Sequence, residues 1–333
     1  MLRFALFGAG RIGRMHAQNL AADPRVVLSY VYDLAEEAAR ETAEKHGAQI
    51  APDVEFVLSG DKVDAVLIAS STNTHVDLIT KAARVGKAVL CEKPIDLDIA
   101  RVNRCRDEIG DYKVPIQIGF NRRFDPGHSA LRTAVAAGEL GQLQQLVISS
   151  RDPGLAPLDY LRVSGGLFRD MMIHDFDLAR FILGEDPMEI SATGSIQIEP
   201  GLAELDDIDS AMVIMKTASG KLCHINCSRR AVYGYDQRVE ALGDSGMLIS
   251  GNRTSTALER YDEKSTAARE PLLNFFIERY TESYLNQITA FIDAVENGQT
   301  PSPSFEDGRR ALMLADAAGE SLRTGQTIRL SFE

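Results

Sequence analysis

No stretch of the 333 residues approaches the ~20 consecutive apolar residues that a membrane-crossing helix needs. The opening Met1-Leu2-Arg3-Phe4-Ala5-Leu6-Phe7 is too short for the apolar core of a signal peptide and runs straight into glycines, with no small-residue cleavage site behind it. A cytoplasmic protein with no membrane partner is therefore expected. Positive charge is in short supply: 36 Lys and Arg stand against 48 Asp and Glu, a net charge of −12. Such a surface repels a phosphate backbone, and no basic stripe is interleaved with aromatics, so no nucleic-acid partner is expected. Cysteine is sparse as well. Cys91, Cys105, Cys223 and Cys227 form no CxxC pair, and an alternating strand points His224 away from both Cys223 and Cys227. Reduced structural thiols are expected, and no metal.

What the chain does hold is ordinary globular material, with 44% hydrophobic and 25% charged residues in a length that fits two domains. In the first third, apolar β-rich runs alternate with helical patterns. Leu2–Phe7, Val26–Tyr32, Val63–Ala69, Ala88–Cys91 and Val114–Gly119 read as strands, with a weaker one around Gln49–Ala51. Ile12–Ala22, Leu34–His46, Thr74–Val85 and Asp98–Ile109 read as helices. Strands that are apolar almost throughout are covered on both faces, which predicts an α/β, doubly wound parallel sheet of Rossmann type.

From about Asn121 the rhythm changes to α+β. After a helix at Pro126–Ala137, alternating segments appear at Leu143–Arg151, Met188–Glu199, Ser210–Lys216, Lys221–Arg229, Gln237–Leu242 and Met247–Ser250. Turn signals such as Ala218-Ser219-Gly220 join neighbours and predict a large, mainly antiparallel open sheet. Two helices, Ile277–Asn297 and Phe305–Thr324, close the chain, and Asp262–Pro271 is the most polar and most mobile segment expected. The expected domains are 1–120, binding a dinucleotide, and 121–333, binding substrate and supporting subunit packing.

Gly8-Ala9-Gly10-Arg11-Ile12-Gly13 follows the first strand and opens a helix. Gly8 permits the tight turn, Gly10 lets a pyrophosphate approach the backbone, and Gly13 allows close packing of helix on strand. Asp33 ends the second strand, 20 positions past Gly13, where an acidic ribose ligand belongs. Its charge repels a 2′-phosphate, and Leu34 and Ala35 supply no arginine to offset it, so NAD is expected over NADP.

In Gly165 to Asp177, a helix would set Asp170, His174 and Asp177 at i, i+4 and i+7 on one face. An imidazole titrates near neutrality and suits a general base, and Asp170 can orient the ring, stabilise the imidazolium or bind a neighbouring hydroxyl. The same Asp-x-x-x-His spacing equally describes a helix-capping pair. Asp152 and Asp177 are expected to accept hydrogen bonds from substrate hydroxyls, and Arg122-Arg123 to form a solvated or salt-bridged face.

The order of these features resembles the Gfo/Idh/MocA oxidoreductase family over essentially the whole chain. The likeness rests on the glycine loop, Ser71-Thr72-Asn73-Thr74-His75 after the fourth strand, Glu92-Lys93-Pro94 after the fifth, and Asp170 with His174. Ser71 departs from it, where many relatives carry proline. Within the family, Gln117 to Asp125, Arg151-Asp152-Pro153 and Gly165 to Phe181 resemble the inositol 2-dehydrogenases.

The resemblance implies that Lys93, Asp170 and His174 are catalytic and that Lys93 touches the substrate hydroxyl and stabilises developing alkoxide charge. It places Gly8, Gly10, Arg11, Ile12, Gly13, Asp33, Ser70, Thr72, Asn73, His75, Glu92 and Lys93 at the cofactor, and Tyr233, Tyr235 and Tyr284 in the substrate pocket. It implies NAD-dependent oxidation of myo-inositol at the axial C2 hydroxyl by a homotetramer. Another cyclitol or an aldose (scyllo-inositol, glucose, xylose) stays open as substrate, as does a catalytically silent NAD-binding sensor.

Overall fold

The apolar runs of the first third become six short strands, each carried back to the next by a helix. In the computed structural model, which describes residues 1–332, these are β1 (Leu2–Phe7), α1 (Arg11–Ala22), β2 (Val26–Tyr32), α2 (Glu36–His46), β3 (Gln49–Ile50), α3 (Val54–Leu58), β4 (Ala65–Ile68), α4 (His75–Arg84), β5 (Ala88–Cys91), α5 (Ile99–Ile109) and β6 (Ile116–Ile118). Every pairing is parallel, in the order β3-β2-β1-β4-β5-β6. The doubly wound expectation is borne out. Strand order reverses between β1 and β4, and in open α/β sheets the crevice beyond the strand ends at that point is where ligands bind. Local chemistry agrees with the helices: α2 carries Glu36 and Glu37 in its first turn and Lys45 and His46 in its last, then stops at Gly47 with φ +69°.

The rest of the chain continues as α6 (Pro126–Ala136), β7 (Leu143–Arg151), α7 (Leu158–Ser164), α8 (Ile173–Leu183), β8 (Pro187–Ser195), β9 (Ser210–Thr217), β10 (Leu222–Ser228), β11 (Asp236–Gly243), β12 (Gly246–Ser250), β13 (Glu259–Asp262), β14 (Ser265–Arg269), α9 (Phe276–Arg279), α10 (Thr281–Glu296), α11 (Phe305–Thr324) and β15 (Ile328–Arg329). A seven-stranded sheet runs β12-β11-β7-β10-β9-β8-β15, antiparallel except for the parallel pair β7–β10. Alternation puts Ile148, Val213, Ile225 and Val239 on one face, where they pack with Met172, Phe176 and Ile182.

Contacts divide the chain into two units. The first joins Met1–Asn121 with Ser283–Leu312, and the second joins Arg122–Glu282 with the chain from Met313 onward. The segment Ser283–Leu312 thus packs with the first unit, which a single boundary near 120 does not contain. The reason is the apolar spacing on α10, where Ile288, Phe291 and Ile292 join the core of Phe4, Leu6, Leu20 and Leu67, and Phe291 meets the Phe4 ring edge-on at 6.1 Å.

Other differences from the sequence pattern have local causes. The strand expected to run to Glu199 stops at Ser195, because the Asp209 carboxylate accepts from the backbone N–H groups of Gln197, Ile198 and Glu199 at 2.8, 2.7 and 3.1 Å. The polar 262–271 segment is largely hairpin, its turn closed by Asp262, which accepts from the Lys264 and Ser265 N–H groups. The helix expected at Ile277–Asn297 is two, α9 and α10, separated at Tyr280.

Candidate active site

The glycine loop closes on β4. Gly8 has φ +101°, and a Cβ there would lie 2.5 Å from the Ala69 carbonyl, so only glycine lets the loop after β1 pass so near the end of β4. A Cβ on Gly13 would lie 1.9 Å from Gly8 O, which fixes α1 directly on the loop. Gly10 is different: nothing stands within 4 Å of where its Cβ would be. It is the N-cap of α1, makes no side-chain cap, and is followed by no acidic residue in the first turn. An open backbone at an uncapped positive helix end fits a pyrophosphate. Asp33 braces this cradle, Oδ2 accepting from Ala9 N at 2.6 Å and Oδ1 from Ala35 N at 2.8 Å. The residues present therefore fit a dinucleotide.

Beyond β4, the Ser70 and Thr74 hydroxyls lie 2.7 Å apart around a short turn at Thr72–Thr74, with Thr72 partly exposed and Asn73 exposed. His75 was expected at the cofactor. Its ring is buried, with Nδ1 2.8 Å from Pro94 O and Nε2 3.0 Å from Ser70 O, and burial pushes its imidazole below the ordinary range. It is a strut that ties the loop after β4 to the loop after β5.

Lys93 follows the end of β5, and the Lys93-Pro94 peptide bond is cis. Beside it, Glu92 Oε1 accepts from His16 Nε2 at 2.7 Å, while Oε2 accepts from Lys93 N at 3.3 Å. A Cβ on Gly119 would come within 2.9 Å of the Glu92 carboxyl, so that glycine makes room for it. Tyr284, expected in a substrate pocket, is buried in the same unit and meets the His16 ring edge-on at 5.7 Å. Sequence reasoning missed His16 and Gly119. His16 lies one helical turn past Ile12 on α1, the one hint that it shares a face with the loop.

In the second unit, Gly165 and Gly166, at φ +87° and +82°, turn the chain into a π-helical segment, Phe168–Met172, that carries Asp170, and α8 then carries His174. Tyr160 Oη donates to Asp170 Oδ1 at 2.8 Å, and Arg229 Nη1 lies 3.5 Å from Asp170 Oδ2. Neither partner was foreseen. His174 is partly exposed, two positions past the π-helical segment. Asp152 is partly buried, and burial pushes its carboxyl up to about 6 against the pull of Arg122 and Arg229.

Asp177 was expected to meet a substrate hydroxyl. It is buried and paired with Arg123, Nε reaching Oδ2 at 2.8 Å and Nη2 reaching Oδ1 at 2.5 Å. The carboxylate is held by a two-armed guanidinium. Arg122 likewise binds Asp175, so Arg122-Arg123 is salt-bridged but buried, with no solvated face. The two tyrosines of the 232–236 turn are also engaged by protein. Tyr233 Oη donates to Asp236 Oδ2 at 2.7 Å, and buried Tyr235 Oη accepts from Arg122 Nη2 at 3.4 Å.

Comparison with known proteins agrees with both units. Residues 2–120 match the oxidoreductase family model for the NAD-binding Rossmann fold, and residues 128–249 match the GFO/IDH/MocA C-terminal domain. The chain belongs to the Gfo/Idh/MocA oxidoreductase family. Its relatives there include the inositol 2-dehydrogenase of Rhizobium meliloti, 44% identical over 99% of each chain. The crystal structure of a myo-inositol dehydrogenase from Corynebacterium glutamicum matches at 46% identity and TM-score 0.96, covering 99% of both chains. A myo-inositol dehydrogenase from Lactobacillus casei in complex with NAD(H) and myo-inositol matches at 25% identity and TM-score 0.86, over 99% of this chain and 97% of the other. Membership makes residues 2–120 an NAD-binding Rossmann domain and the protein an NAD-dependent oxidoreductase.

Proposed function

We propose that the protein is an NAD-dependent inositol 2-dehydrogenase, which oxidises the axial C2 hydroxyl of myo-inositol to the 2-keto compound. The observation that carries this is full-length similarity to enzymes of that name in a chain that keeps Lys93 beyond β5, Asp170 in the π-helical segment and His174 at the head of α8. Bound NAD supplies the hydride acceptor. Lys93, an ammonium, donates to the reacting hydroxyl oxygen and stabilises the alkoxide that develops as its proton departs. His174 accepts that proton at an imidazole nitrogen, and Asp170 holds the ring and offsets the charge of the imidazolium. Asp152 accepts from a ring hydroxyl, and a site built this way rejects sugars that leave a buried polar group unpaired. Gly8 to Gly13 and the first turn of α1 carry the pyrophosphate, Asp33 the ribose hydroxyls, and Ser70, Thr72, Asn73 and Glu92 the nicotinamide side.

A polyol panel followed by NADH absorbance tests this. Turnover with myo-inositol above scyllo-inositol, glucose and xylose, and kcat/KM with NAD above that with NADP, is the expected result. Binding of NAD without reduction by any polyol would instead describe a sensor.

The same reading places the enzyme in the cytoplasm, in inositol catabolism, as a homotetramer. What supports assembly is the outer face of the seven-stranded sheet, where Met188, Met212, Ile214, Leu222, Met247 and Ile249 are all exposed. His224, Asn226, Arg238 and Glu240 interleave with them in the register, and a sheet face that exposes this many large apolar side chains favours a covered state.

A further inference from the structure

Asp170 is held from two sides by groups that the proposed chemistry does not use. On one side stands Tyr160, on the seven-residue helix α7, with its hydroxyl 2.8 Å from Oδ1. On the other stands Arg229, just past the end of β10 and 2% exposed, with Nη1 3.5 Å from Oδ2. Arg229 is itself braced. Its Nη2 lies 3.4 Å from Asp207 Oδ2, and Asp207 Oδ1 accepts from the Leu167 and Ile208 N–H groups at 2.8 Å each. Leu167 directly precedes the π-helical segment that carries Asp170. A Cβ on Gly166 would lie 3.0 Å from Asp207 Oδ1, so the glycine turn and the Asp207 carboxylate are fitted to each other. A buried guanidinium between two carboxylates fixes all three, because none can leave without exposing an unpaired buried charge.

We infer that Tyr160 and Arg229, the latter braced by Asp207, form a clamp that sets one oxygen each of Asp170 and so position it for polyol oxidation. This rests on the proposed function. Both are positioning residues; they act through Asp170. The clamp draws on three separate stretches of chain, α7, the turn before β9 and the end of β10, and so fixes the π-helical segment that a regular helix would not produce. Tyr160 also bears the electrostatic mark of the contact: burial, and then the charge and hydrogen bond of Asp170, push its phenol above the ordinary range.

Tyr160→Phe tests the clamp cleanly, since the side chain is about half exposed and losing its hydroxyl opens no cavity. It should lower kcat/KM for myo-inositol about tenfold, the worth of a hydrogen bond to a charged group. NAD affinity should stay within about twofold and thermal stability should be unchanged. Arg229→Lys, which keeps the charge but loses the two-armed reach, should lower the same ratio in the same direction.

A second readout needs no turnover. In protein labelled with fluorotyrosine, the ¹⁹F resonance lost in Tyr160→Phe identifies Tyr160, which should ionise later than a free tyrosine, and Asp170→Asn should make it ionise earlier than in wild type while its burial keeps it above the free residue. Unchanged kcat/KM in Tyr160→Phe, or a Tyr160 resonance indifferent to Asp170, overturns the clamp. A wild-type enzyme that oxidises no polyol overturns the proposed function instead, while the fluorine titration still decides the contact.

Discussion

Asp170 and Asp177 are seven positions apart, as a shared helical face requires, yet one meets a tyrosine and an arginine at the site while the other is buried against Arg123. The difference lies in the backbone. Asp170 sits in a π-helical segment, whose wider turn breaks the 3.6-residue spacing before α8 begins. Asp177→Ala would strand the Arg123 guanidinium, and denaturant unfolding should show a loss of about 3 to 5 kcal/mol. By contrast, His174→Ala should leave stability and NAD affinity nearly intact and lower kcat about 10² to 10⁴-fold.

Asp152 makes a pH-dependent prediction. An aspartate in an unfolded chain titrates near ~3.9, and the folded value of about 6 lies above it. The folded state therefore keeps this proton longer, and the stability it confers at acid pH is lost as pH rises from about 4 to about 6, a change of about 2 to 3 kcal/mol. Asp152→Asn cannot ionise. Its unfolding midpoint should match wild type near pH 4 and exceed it by pH 7, and a difference independent of pH would refute the assignment.

At the level of elements, the glycine loop is the tightest feature. Gly13→Ala puts a methyl against Gly8 O and should cost about 1 to 3 kcal/mol of stability, together with a loss of NAD affinity visible by titration calorimetry. Gly10→Ala meets no protein atom, so it should spare stability and weaken NAD alone. These glycines were legible because φ and packing demands recur at set spacings between a strand and a helix. So were β1, β2, β5 and α11, whose ends coincide with their apolar runs. The parallel β7–β10 pair was not, since turn signals describe neighbours in sequence and β7 pairs with a strand 71 positions on, Leu222 against Gln145 being 77 apart. His75, His16, Tyr160 and Arg229 share that limit. Each acts through a partner outside its own helix or strand, 76 positions away for His16 and ten for Tyr160, and nothing in a residue's neighbours announces a carbonyl or carboxylate that folding delivers.

For the whole molecule, the exposed apolar sheet face predicts assembly. Light scattering should give a tetramer, and Ile214→Lys, at a position 58% exposed in the single chain, should shift it to smaller species while each chain stays folded. A wild-type monomer would remove the assembly from the account. The central claim is that Lys93 and His174 serve one reacting hydroxyl. A double-mutant cycle in kcat/KM for myo-inositol, read as NADH formation, tests it most directly. The account predicts that Lys93→Met and His174→Ala each lower kcat/KM by about 10² or more, and that the double variant falls far short of the product of the two, as groups acting as a unit do. Losses that multiply, or single variants that turn over like wild type, would contradict it.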